Sequence, residues 1–172
     1  MDRTNGQDRG WFLTKAGLGA GVLALGLLAA SAAESAEAKN FQFLKPDGLL
    51  NSPGYSQAVE IDKGKLVILA GQMPVDEKGA LVGKGDFKAQ ATRAFENIAL
   101  ALKSVGLDTS DIVKLNYFIV GDLKQNLPAL RDALGPFFKP GQPRPAGTVA
   151  GVTALALEGQ MIEIDVTAVT RD

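Results

Sequence analysis

Histidine and cysteine are both absent from the 172 residues of this chain. Without cysteine there is no disulfide, no thiolate nucleophile and no zinc–thiolate site. Without histidine the chain lacks the usual general base near neutral pH and the commonest metal ligand. A serine–histidine–aspartate triad is excluded. Catalysis is left to carboxylates, Arg, Lys, Tyr, hydroxyls, backbone groups and water. An excess of one charge sign is missing too: the formal net charge is −1. From Lys39 onward acidic and basic residues balance, and no basic stripe forms. Nucleic acid is therefore not expected as a partner.

Charge is also absent from residues 16–33, a run of Ala, Gly, Leu, Val and one Ser. Arg3, Arg9 and Lys15 precede it. Ala36-Glu37-Ala38 follows with a small-x-small pattern, as does Ala30-Ser31-Ala32 within the run. Residues 1–38 therefore read as an export signal, and 39–172 as a single folded domain. The stretch RGWFLTK at 9–15 is similar to a twin-arginine signal, but Gly10 stands where the second arginine belongs, so the Sec route stays open. An uncleaved anchor is the other reading, since the run is just long enough to span a bilayer. Dominance of Ala and Gly favours cleavage. The expected location is periplasmic or secreted, with no membrane association after the signal is removed.

In the domain, apolar periodicity sets the elements. Residues 41–44 form a short strand. Residues 55–61 and 66–70 read as two strands of a hairpin about the turn Asp62-Lys63-Gly64-Lys65, and a short strand is expected at 80–82. Asp86 caps a helix whose stripe is Phe87, Ala91, Ala94, Phe95, Ile98, Leu102 and Val105. Gly106 ends it, with Leu107 placed for a C-terminal contact. Residues 112–120 are a strand with Val113, Leu115, Tyr117 and Ile119 on one side. Ile112, Lys114, Asn116, Phe118 and Val120 fall on the other. A second helix begins at Asp122, with Pro128 expected in its first turn; its apolar side is Leu127, Leu130, Leu134, Phe137 and Phe138.

The last segment, 144–169, is two strands joined by a loop. In the second, Ile162, Ile164, Val166 and Ala168 share one face, and Glu163, Asp165 and Thr167 the other. The class is α/β (α+β): a mixed sheet with both helices packed on one face, because strand–helix–strand crossovers are right-handed. The other face carries Lys114, Asn116, Glu163 and Asp165 among aliphatic residues. A half-apolar open face predicts a homo-oligomer.

The chain resembles the RidA (YjgF/YER) family over essentially all of residues 40–170. The resemblance is carried by GYSQAV at 54–59, LVILAGQMP at 66–74 and GALVG at 79–83. Gln90-Ala91, FENI at 95–98, Arg144-Pro145-Ala146 and Ile162-Glu163-Ile164 complete it in order. It implies a chorismate-mutase-like fold and a homotrimer with small-molecule clefts between subunits. It further implies hydrolysis of reactive enamines and imines, such as 2-aminoacrylate, with no metal and no cofactor. By resemblance Glu163 orients or activates the attacking water, Tyr55 lines the cleft and the Gly71 backbone contacts the ligand.

Two departures stand out. Deaminating members carry an arginine directly after the Pro-Ala that opens the penultimate strand, where its guanidinium pairs with the substrate carboxylate. Here that position is Gly147. Arg144 just upstream and Arg131 in the second helix are the candidate replacements for anion binding. The family's serine before Gly-Gln is Ala70. Two readings follow: a hydrolase of imine or enamine metabolites other than 2-aminoacrylate, and a trimer that binds a small carboxylate without turnover.

Overall fold

The computed structural model describes residues 39–171. The expected export signal lies outside them. The strands are β1 (Phe41–Leu44), β2 (Ala58–Ile61), β3 (Leu66–Ile68), β4 (Ile112–Val120), β5 (Ala146–Val152) and β6 (Ile162–Val169). The helices are α1 (Phe87–Ser104) and α2 (Leu123–Phe137), and a 3-10 turn covers Thr109–Asp111. None of the helices among the described residues is long and apolar enough to cross a membrane.

A four-stranded sheet of order β3-β6-β4-β5 forms the body. β4 runs parallel to β5 and antiparallel to β6, and β3 runs antiparallel to β6. A parallel neighbour demands a crossover, and α2 supplies it between β4 and β5. Both helices cover the face bearing Leu115, Tyr117, Ile119, Ile162, Ile164 and Val166, where the main core sits. On the opposite face Lys114, Asn116, Phe118, Glu163, Asp165 and Thr167 are all only partly buried. The α+β mixed sheet with two helices on one face matches the expectation from the sequence.

The expected 55–61/66–70 hairpin does not form. β2 pairs with β1, Phe41 opposite Ile61, and β3 pairs with β6. The connection is pulled two ways: Asp62 N and Lys63 N donate to Asn40 O, while Lys65 N donates to Thr170 Oγ1. Gly64, at φ +91°, turns the chain so close to Thr170 O that no Cβ fits there. The strand expected at 80–82 shrinks to one bridge between Val75 and Leu81.

Both helix starts fall where expected. The Asp86 side chain accepts from Ala89 N at 3.0 Å, and that of Asp122 from Lys124 N at 2.8 Å. At the end of α1, Leu107 N donates to Leu102 O and Gly106 N to Lys103 O, with Gly106 at φ +75°. This is a Schellman closure, and it buries Leu107. Val105, assigned to the apolar stripe, is instead exposed at the cap, while Gln90 is fully buried. Pro128 lies in the second turn of α2 rather than the first, because the Asp122 cap starts the helix at Leu123. A register shift between Ile112 and Lys114 places Ile112 in the main core. Val113 moves to a second cluster with Phe41 and Val169, contrary to plain alternation.

Candidate functional site

The sheet sets out two groups of the sequence-selected residues, one on β6 and one at the start of β5. On β6, Glu163 stands on the open face, opposite Phe118 of β4. Its neighbour Ile164 exchanges backbone hydrogen bonds with Gln72, at 2.9 and 3.2 Å. That bridge lays Gly71 against the Glu163 side chain. A Cβ at Gly71 would run into the carboxylate and come within 3.0 Å of Glu163 Cδ. A side chain there would have to push the carboxylate aside.

The other side of the carboxylate is held by Gln160. Its Nε2 donates to Glu163 Oε2 and to Ile162 O, both at 3.1 Å, and its Oε1 accepts from Leu157 N. Gln160 is 3% exposed, so its amide is fixed by its partners and not by water. The loop before β6 is pinned in turn by buried Gln90. Gln90 Nε2 donates to Gly159 O at 2.8 Å, and its Oε1 accepts from Met161 N at 2.7 Å. Gln160 is the residue that sequence reasoning missed. A glutamine in a loop ahead of an alternating strand gives no periodic signal.

At the start of β5, Ser56 forms a parallel bridge to Ala146. Ser56 N donates to Pro145 O at 3.0 Å, and Ser56 Oγ to Arg144 O at 2.6 Å. This sets Tyr55 beside Gly147, where an added Cβ would sit 3.5 Å from Tyr55 Cβ. Tyr55 is 37% exposed. The Arg144 guanidinium lies over the Phe138 ring, 4.4 Å from its centroid, and its buried Nη1 has no hydrogen-bond partner among the described residues. Burial pushes the Tyr117 phenol well above its ordinary range, with the Arg144 charge partly offsetting that. Tyr117 therefore stays protonated and serves as core. A cleft of about 320 Å³ opens here, lined by Lys45, Ser52, Tyr55, Ser56, Gln142 and Arg144 among others.

The two groups do not meet within one chain. Glu163 pairs with Phe118, which pairs with Ala150; Gly147 lies three residues before Ala150 on β5. Two strand spacings and three residues of rise separate Gly147 from Glu163 by roughly 14 Å. Alternation also puts them on opposite faces of the sheet. Arg131 is exposed on α2, in the helix layer and away from the Glu163 face. Among the described residues no group of three or more carboxylates converges where a metal ion could sit.

The family model for Endoribonuclease L-PSP matches residues 49–170. Protein DfrA of Myxococcus xanthus is 38% identical over 118 residues, 67% of this chain and 85% of that protein. A 2-iminobutanoate/2-iminopropanoate deaminase of Dermatophagoides farinae is 34% identical over 101 residues, 59% of this chain and 74% of its own. Among solved structures, YyfB of Yersinia pestis, a protein of unknown function in the conserved Rid family, superposes with a TM-score of 0.71. It is 33% identical, covering 76% of this chain and 99% of that one. RidA from an Antarctic Psychrobacter gives a TM-score of 0.55 at 31% identity, covering 75% and 99%.

Proposed function

Because this chain belongs to the L-PSP (RidA/YjgF) family, some of whose members are 2-iminobutanoate/2-iminopropanoate deaminases, we propose that it is a hydrolytic deaminase of reactive imine or enamine metabolites, acting in a homotrimer. Water adds to the C=N carbon, the carbinolamine collapses, and the products are a 2-oxo acid and ammonia. Glu163 takes the proton from the attacking water and returns one to the leaving nitrogen. The observation that carries this reading is the Glu163 carboxylate, clamped between Gly71 and Gln160. A solvated strand glutamate needs neither a glycine cut away beside it nor a buried amide on its flank.

The substrate carboxylate needs a cation. Gly147 provides none, so 2-aminoacrylate is not the expected substrate. Arg144, adjoining Tyr55 and Gly147, is the assigned replacement, with Arg131 as the second candidate. The roughly 14 Å between the two half-sites favours a cleft completed by a neighbouring protomer. We further propose export by the 1–38 segment. Mass analysis of the exported protein should show a start at Lys39 or Ala33, whereas an intact Met1 form in the membrane would mean a retained anchor.

The test generates imino acids in place with an amino acid oxidase and follows their loss with the purified domain. Acceleration is expected for at least one imine, and Glu163→Gln should remove all but about one part in a hundred of it. Arg131→Ala should raise KM if that arginine holds the carboxylate. No acceleration across the panel overturns the enzyme. Gly147 specifically favours a second reading, a trimer that binds a small carboxylate. An anion retained between subunits without turnover would establish that instead.

A further inference from the structure

The cleft at the start of β5 carries more positive charge than one carboxylate can balance. Lys45 and Arg144 both line it, and no Asp or Glu does. Its remaining polar lining is hydroxyl and amide: Ser52, Tyr55, Ser56 and Gln142. The Arg144 guanidinium sits over the Phe138 ring, 4.4 Å from its centroid. A guanidinium that lines a cleft with no acidic neighbour is a favourable site for an anion. A guanidinium held over an aromatic ring is also partly prearranged for a carboxylate.

Size points the same way. The cleft of about 320 Å³ corresponds to on the order of ten water-sized groups. A five-carbon dicarboxylate imine, with about ten non-hydrogen atoms, fits within it.

We propose that the Tyr55–Arg144 cleft binds a ligand with two carboxylates, so that the substrates are imines of acidic amino acids. The proposal rests on the deaminase reading for its chemistry, but its binding half stands apart from it. Arg144 takes one carboxylate and Lys45 the other.

The experiment compares loss of 2-iminoglutarate, made from glutamate by an oxidase, with loss of the neutral five-carbon imine made from norvaline. The expected ratio of kcat/KM is tenfold or more in favour of the dicarboxylate. Lys45→Met, at an exposed position outside the strands, and Arg144→Lys, which keeps charge but loses the fork, should each bring that ratio toward one. Equal rates for the two imines in the wild type, or a ratio unmoved by both variants, overturns the proposal. If neither imine is accelerated, the deaminase reading fails, and calorimetric titration with unreactive glutarate and with butanoate decides the binding claim. Glutarate binding that is lost in both variants upholds it; no preference for glutarate over butanoate overturns it.

Discussion

Where Gly71 would have a side chain, the Glu163 carboxylate already stands. Gly71→Ala therefore forces either the strand end or the glutamate to move. The flexible end of the glutamate is what gives way, so stability should stay within about 1 kcal/mol of the wild type by urea denaturation, while turnover falls as far as in Glu163→Gln. Gln160→Leu removes the amide that fixes the carboxylate and leaves Leu157 N without its acceptor. It should cost about 1–3 kcal/mol and lower kcat more than it raises KM, whereas a purely structural role would leave kcat of the folded fraction intact. Strand alternation placed Glu163 on the open face together with Asp165 and Thr167, and only the family resemblance singled it out. Gln160 was not legible, because its importance arises from a carboxylate that only the folded loop brings beside it. A third residue governs behaviour in acid. Burial alone would raise the Asp108 carboxyl, but hydrogen bonds from Ser110 and the charges of Lys139 and Arg171 hold it down at about 2, against an ordinary 3.8. The unfolded chain then binds the proton more tightly, so stability falls as pH drops through this window, from about 4 to about 2. Asp108 is 44% exposed on its side chain, so salt should shrink the slope. Urea midpoints measured against pH should show this slope in the wild type and lose it in Asp108→Asn.

Among the elements, α1 was readable because everything in it agrees: the Asp86 cap, the 3.6-residue stripe, and Gly106 past the end. The missing hairpin shows the opposite case. Two apolar runs about an Asp-Lys-Gly-Lys turn favour local pairing, yet Asn40 and Thr170 claim the turn's backbone from distant parts of the chain. Long-range partners of that kind leave no local trace in sequence. Helix α2 contains its own conflict. Pro128 in the second turn cannot donate to the Lys124 carbonyl. Pro128→Ala should restore that bond and raise stability by about 1 kcal/mol or more, seen as a higher thermal midpoint without change in KM. A fall in the midpoint would mean that the proline's restriction of the unfolded chain outweighs the lost bond.

At the scale of the whole molecule, the two groups of residues stand on opposite sheet faces, roughly 14 Å apart, and the proposed reaction needs both. The open face offers a way to bring them together. Ile68 is 75% exposed and Leu66 58% exposed on the edge strand β3, and Ile68, opposite Thr167, shares the open face with the half-buried Phe118 and Glu163. Exposed apolar groups of that size on the face that carries the acidic side chain are the kind of surface a second copy covers. In a cyclic trimer each cleft would take Tyr55 and Arg144 from one protomer and Gly71, Gln160 and Glu163 from the next. This arrangement makes a prediction that a self-contained site does not. Glu163→Gln and the double variant Tyr55→Phe, Arg144→Met should each be inactive alone. Coexpressed in equal amounts, they form mixed trimers in which some clefts receive both intact halves. Random assembly gives about a quarter of the clefts that composition, so about a quarter of wild-type activity should return. Sedimentation velocity should show the trimer in every case. Activity that stays at the background of the separate variants, with mixed trimers demonstrably present, would place both halves in one protomer and end the shared-cleft reading.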